Sequence, residues 1–244
     1  MESDNLKTKV KVEKNQLKSA DKYENIKANF FLEKVFNNLK KGKTLNILKY
    51  NENIKKRINI NINDYKEYSE KYSSIEIEIK PVSNEYGNFI NIEKEEDEKY
   101  YHIYFNDNKE EVKRKYIKKN EEIKIIRIII DYQVQSFEKL FLYCECIESL
   151  TFKKFYRNNI NNMGYMFYGC SSLRELNIIN FNTNNVTDMG CMFYGCSSLK
   201  ELNLNNFNTN NVTNMGSMFY GCSNDLIMKI KNQYKNIKEE AFKN

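Results

Sequence analysis

Residues 163–187, MGYMFYGCSSLRELNIINFNTNNVT, recur almost letter for letter at 189–213 as MGCMFYGCSSLKELNLNNFNTNNVT, and a third copy begins at Met215 as MGSMFYGCS. A 26-residue period kept without insertion constrains the fold more than composition can, because a chain that repeats one unit has to stack its copies. The same offset recovers an earlier, diverged copy. Phe137, Met163, Met189 and Met215 share a column, as do Leu140, Met166, Met192 and Met218. Phe141, Phe167, Phe193 and Phe219 form a third, and Cys144, Cys170, Cys196 and Cys222 a fourth. The second half of the unit continues with Ile147/Leu173/Leu199, Leu150/Leu176/Leu202, Phe152/Ile178/Leu204, Phe155/Phe181/Phe207 and Ile160/Val186/Val212. One unit alone cannot bury these columns, so each becomes a ladder of like side chains covered by its neighbours.

Within a unit, the stretch Leu199 to Phe207 alternates as a strand does and then turns. Val212, Met215, Met218 and Phe219 follow at helical spacing, with Thr213 or Asn214 placed as N-cap. The expected unit is therefore strand, Asn-rich turn, short helix and tight turn. MFYGCSSLKELNLNNFNTNNVTNM closely resembles the repeat of BspA-like leucine-rich-repeat surface proteins, and the likeness covers residues 137–223. That resemblance implies an α/β solenoid of leucine-rich-repeat type and a role in adhesion or binding. Members of the family are often secreted or lipid-anchored, whereas this sequence shows neither an export signal nor an anchor.

The remaining chain is read as a small α+β domain placed before the repeats. Residues 1–28 are polar and expected to be flexible, and 29–120 form the α+β domain. Residues 121–136 supply a capping strand, 137–223 the solenoid and 224–244 a capping helix. In that helix Ile227, Ile230, Tyr234 and Ile237 share a face. Phe31, Val35 and Leu39, then Leu45, Leu48 and Ile54, mark two helices around a KKGK turn. FLEKVFNNLKKGKTLNILKYNENIKKRI, near residues 29–58, faintly resembles an F-box without its Leu-Pro opening, which would imply a ubiquitin-ligase adaptor using residues 29–72. SIEIEIKP, NFINI and YYHIYFND alternate like strands.

Charge and chemistry narrow the function. The net charge is +6, and residues 1–60 carry 15 Lys/Arg against 7 Asp/Glu. Those lysines are interleaved with Glu and Asn rather than clustered, so they read as solvated helix faces and nucleic acid is not an expected partner. No apolar run approaches the length of a membrane span, and residues 1–28 contain no signal-peptide core. The expected location is cytoplasmic, with the six cysteines reduced. The single histidine, His102, lies in an alternating strand with no motif around it. Cys144-x-Cys146 lacks zinc-ligand spacing, the recurring cysteines fall at a core column, and DNKEE at 107–111 lacks the glycine and glutamate of a calcium loop. Cys191, in a column reading Tyr165, Cys191, Ser217, is the best-placed modifiable thiol. No catalytic residue, metal site, cofactor or small-molecule substrate is expected.

The expectation is a monomeric, non-catalytic protein-interaction module or scaffold. Its contact strip would be the outward strand positions Ser149, Thr151 and Lys153, then Glu175, Asn177 and Ile179, then Glu201, Asn203 and Asn205. Three rungs span only roughly 15 Å, less than a typical interface of about 800 Å² per partner calls for. An F-box-like substrate adaptor and a cell-surface adhesin are the alternatives.

Overall fold

The structure, a computed structural model, describes residues 70 and 72–243. The chain divides at Tyr68/Ser69, and the unit described is Ser69–Asn244. The polar stretch 1–28, the helices expected between residues 29 and 68, and the F-box-like stretch lie outside the described residues.

Alternating sequence builds the sheet. In β1 (Ile75–Pro81) the isoleucines 75, 77 and 79 face the core while Glu76, Glu78 and Lys80 face away. β3 (Tyr101–Phe105) and β5 (Ile126–Ile130) bury alternate residues in the same way. With β6 (Ile147–Lys154) and β7 (Glu175–Asn177) they form one mixed sheet of order β3-β5-β1-β6-β7. Every neighbouring pair is antiparallel except β6 and β7, which run parallel. A two-stranded ribbon, β2 (Gly87–Asn88) with β4 (Tyr116–Ile117), lies outside it.

The expected α/β solenoid of leucine-rich-repeat type is corrected by this topology. The sheet is mixed, three of its five strands precede the repeats, and no helix occurs between Gly164 and Gly221. Strand structure also fades along the repeats: eight residues in β6, three in β7 and none at 201–205. The strand expected at 121–136 to cap the first unit is β5, which pairs with β1 and β3; the neighbour of β6 is β1.

The segments expected as helices are ribbons of turns, for a reason of backbone geometry. Tyr165, Cys191 and Ser217 have φ of 57°, 52° and 53°, and Gly169, Gly195 and Gly221 have φ of 70°, 70° and 75°. A left-handed residue interrupts a right-handed helix after two residues. The backbone instead alternates between two kinds of partner. The N–H groups of Met163, Tyr165, Phe167 and Gly169 donate to the carbonyls of Asp188, Gly190, Met192 and Tyr194 in the next unit, at 2.7–2.9 Å. Those of Met166, Tyr168 and Cys170 donate three residues back within their own unit. The Asn214 side chain, expected as an N-cap, accepts from the N–H of Gly216 and so closes an Asx turn.

The columns stack. Phe141–Phe167, Phe167–Phe193 and Phe193–Phe219 lie parallel at 5.4, 5.6 and 5.4 Å. Met163, Met166, Met189, Met192, Met215 and Met218 fill the space beside them and are fully buried. α1 (Asn224–Gln233) covers the far end, its N-cap Ser223 accepting from Leu226 N–H and its Leu226 and Ile230 buried. Beyond it, Tyr234 Oη accepts from the buried N–H of Leu204 at 3.0 Å. The 3-10 turn Glu239–Phe242 takes the place of a further unit: Ser217 and Phe219 donate to the carbonyls of Glu240 and Ala241, and Phe242 stacks on Phe219 at 5.5 Å.

Candidate functional site

The outward residues of the five strands form one surface. Register places Tyr104 opposite Arg127, Arg127 opposite Glu78, Glu78 opposite Thr151 and Thr151 opposite Asn177. A second row runs Lys80, Ser149, Glu175. A groove of 490 Å³ crosses this face, lined by Glu76, Glu78, Tyr104, Lys109, Arg127 and Lys153 among others. Except for the exposed Lys109, its charges are tied down. Lys153 Nζ lies 3.1 Å from Glu78 and Lys154 Nζ 3.4 Å from Glu76, while Arg127 donates to the carbonyls of Asn106 and Asn108. Paired charges with a part-buried Ile129 between them make a surface that can meet another protein without stranding an ion.

The expected strip divides in two. Ser149, Thr151, Lys153, Glu175 and Asn177 are brought together by β6 and β7, with Ser149 and Thr151 half-buried. Ile179, 45% exposed, follows a turn in which Asn177 Oδ1 accepts its N–H. Glu201, Asn203 and Asn205 are exposed but lie on no strand, and Asn203 bonds locally to the N–H of Asn205. Sequence reasoning missed the half of the face that β1, β3 and β5 contribute. The polar positions of IEIEIKP were its signal, but which strand they would sit beside was not.

The other candidates resolve to structure. Cys144, Cys170, Cys196 and Cys222 are buried free thiols. The last three donate to the carbonyls of Phe141, Phe167 and Phe193, at 3.0–3.2 Å. Burial pushes Cys170 and Cys222 up to about 12 and the other two well above the ordinary thiol value, so none is a ready thiolate. Cys191 is the least buried of the six, and burial raises its thiol too. His102 sits between Glu111 and Asp131, at 3.3 and 3.4 Å. No group of metal-ligating side chains occurs among the described residues. The sequon residues Asn185 and Asn211 donate to the carbonyls of Asn158 and Asn184, one unit back.

One buried charge has no counterpart in the later units. Arg157 is fully buried in the column occupied by Thr183 and Thr209, and its Nη1 donates to the carbonyls of Asp131 and Val134. It ties the turn after β5 to the end of β6.

Residues 135–240, less than half of the chain, match the model of a family described as "Mycoplasma protein of unknown function, DUF285". No curated protein and no solved structure matches the chain. Among the described residues no helix is long and apolar enough to cross a membrane.

Proposed function

We propose that this chain is a non-catalytic protein-binding module whose docking surface is the open face of the five-stranded sheet. The observation that carries the reading is the unbroken row Tyr104, Arg127, Glu78, Thr151 and Asn177 across all five strands. At about 4.8 Å between strands the row from Tyr104 to Asn177 spans about 19 Å, wider than the repeat strip alone offers a partner. Mixed, internally paired charge favours a folded protein over a polyanion. Six free thiols fit a reducing compartment, so the module is read as acting inside the cell.

The test is capture of partners from the native lysate by the tagged full-length chain and by a Thr151→Arg/Asn177→Arg variant. Both side chains point away from the core, so the variant is expected to keep its thermal unfolding temperature. A reproducible partner lost in the variant supports the reading. A partner held equally by both overturns it. Recovery by both of a cullin-ligase adaptor would turn attention to residues 29–72 and the F-box-like alternative.

A further inference from the structure

A second concavity differs in chemistry from the sheet face. It lies between residues 91–97 and the first turn ribbon, 133–140, with Asn161 and Asn162 at one side, and has a volume of 440 Å³. Ile92 and Leu140 are its only aliphatic side chains; the rest are amides, carboxylates, a lysine, a serine and Tyr101. Tyr101 is only 5% exposed, yet it lines this cleft, and its hydroxyl makes no hydrogen bond among the described residues. Burial, and then the nearby Asp97 carboxylate, keep that phenol protonated and therefore a donor. The side chains of Asp97, Gln133, Gln135 and Asn161 likewise make no hydrogen bond or ion pair among the described residues.

Charge decides what such a cleft can hold. Glu93 and Glu138 share Lys139 Nζ, at 3.2 and 3.6 Å, and Lys94 offsets Asp97, so these groups together keep one net negative charge. That charge turns anions away, and no cluster of carboxylates that could hold a metal ion occurs among the described residues. An apolar ligand would strip water from the Tyr101 hydroxyl and the polar side chains around it and return no hydrogen bond to any of them. A ligand that both donates and accepts at many points satisfies all of them.

We propose that this cleft binds a neutral polyhydroxyl compound, of the size of one or two sugar rings. The Tyr101 hydroxyl donates to it, the Asp97 carboxylate accepts from it, and the amides of Gln133, Gln135 and Asn161 do both. The sequence alone offers no sign of a small-molecule site, because its residues come from four segments and none is in a recognisable motif.

The test is saturation-transfer NMR on the full-length chain with D-glucose, N-acetyl-D-glucosamine, cellobiose and myo-inositol as probes. Two variants accompany the wild type: Tyr101→Phe, which removes only the hydroxyl, and Asp97→Asn at the rim, which keeps the fold if the first does not. Transfer to at least one probe, weakened about tenfold by either variant, is the expected result. No transfer to any of the four, or transfer that both folded variants leave unchanged, overturns the proposal. The Thr151→Arg/Asn177→Arg variant should bind the same probe normally, which separates this site from the sheet face.

Discussion

At the scale of single residues, the repeats are governed by where the backbone goes left-handed. Gly169 and Gly195 occupy equivalent positions with the same φ of 70°, but their surroundings differ. A methyl group on Gly195 would meet only ordinary contacts, the nearest at 3.6 Å, so Gly195→Ala should cost the left-handed strain alone, about 1–2 kcal/mol. A methyl group on Gly169 would come within 2.4 Å of the Tyr143 ring, which packs edge-on against Tyr168 at 5.3 Å. Gly169→Ala should therefore cost about 1 kcal/mol more, the worth of the displaced aromatic pair. Chemical denaturation of both variants, repeated with Tyr143→Ala, checks this: the excess should vanish in the double variant. Tyr165, Cys191 and Ser217 show why the ribbon was not legible in the sequence. Each is left-handed without being glycine, so the residues that break the expected helix carry no mark of doing so.

At the scale of elements, legibility follows the distance over which pairing acts. The columns could be read because identical apolar residues recur at a fixed offset, and burial needs no knowledge of backbone angles. The faces of β1, β3 and β5 could be read from alternation. The antiparallel pairing of β1 with β6 could not, since it joins segments separated by a long intervening chain and leaves nothing in either one to name the other. The candidate site inherits the same split: its β6 and β7 half was legible, and its β1, β3 and β5 half was not. The closing element is legible only in part: Ile230, Tyr234 and Ile237 are buried, but the helix expected over 224–244 ends at Gln233 and buries Leu226 more fully than Ile227. The bond that fastens it is specific to one atom. Tyr234 is 7% exposed, and its oxygen is the partner of the Leu204 N–H. Tyr234→Phe keeps the ring and orphans that buried donor, so a loss of about 1–3 kcal/mol is expected in equilibrium denaturation. Asp225→Ala, in the first turn of α1, removes an exposed pair with Lys229 and a carboxylate at the helix N-terminus, and should cost about 1 kcal/mol or less.

At the scale of the whole molecule, stability is distributed over contacts between successive units, with β1 covering one end and α1 with Glu239–Phe242 the other. Each middle unit presents the same donors, carbonyls and rings to both neighbours. Removing residues 189–214 therefore joins surfaces already matched: Met163 would keep Asp188 as its acceptor, Tyr165 would face Gly216 as Cys191 does now, and Phe167 would face Met218 as Phe193 does now. That deletion should give a folded, cooperative protein of lower stability, whereas removing only 189–201 should abolish cooperative unfolding by calorimetry, because it sets the extended segment from Leu202 against the turn ribbon of the unit before it. The consequence reaches past this one chain. A gene carrying such interchangeable units can lengthen or shorten by unequal crossing-over without passing through a non-folding product. The matched register thus acts as a tolerance for copy-number change, letting the reach of the protein be altered in fixed steps while both of its ends stay the same.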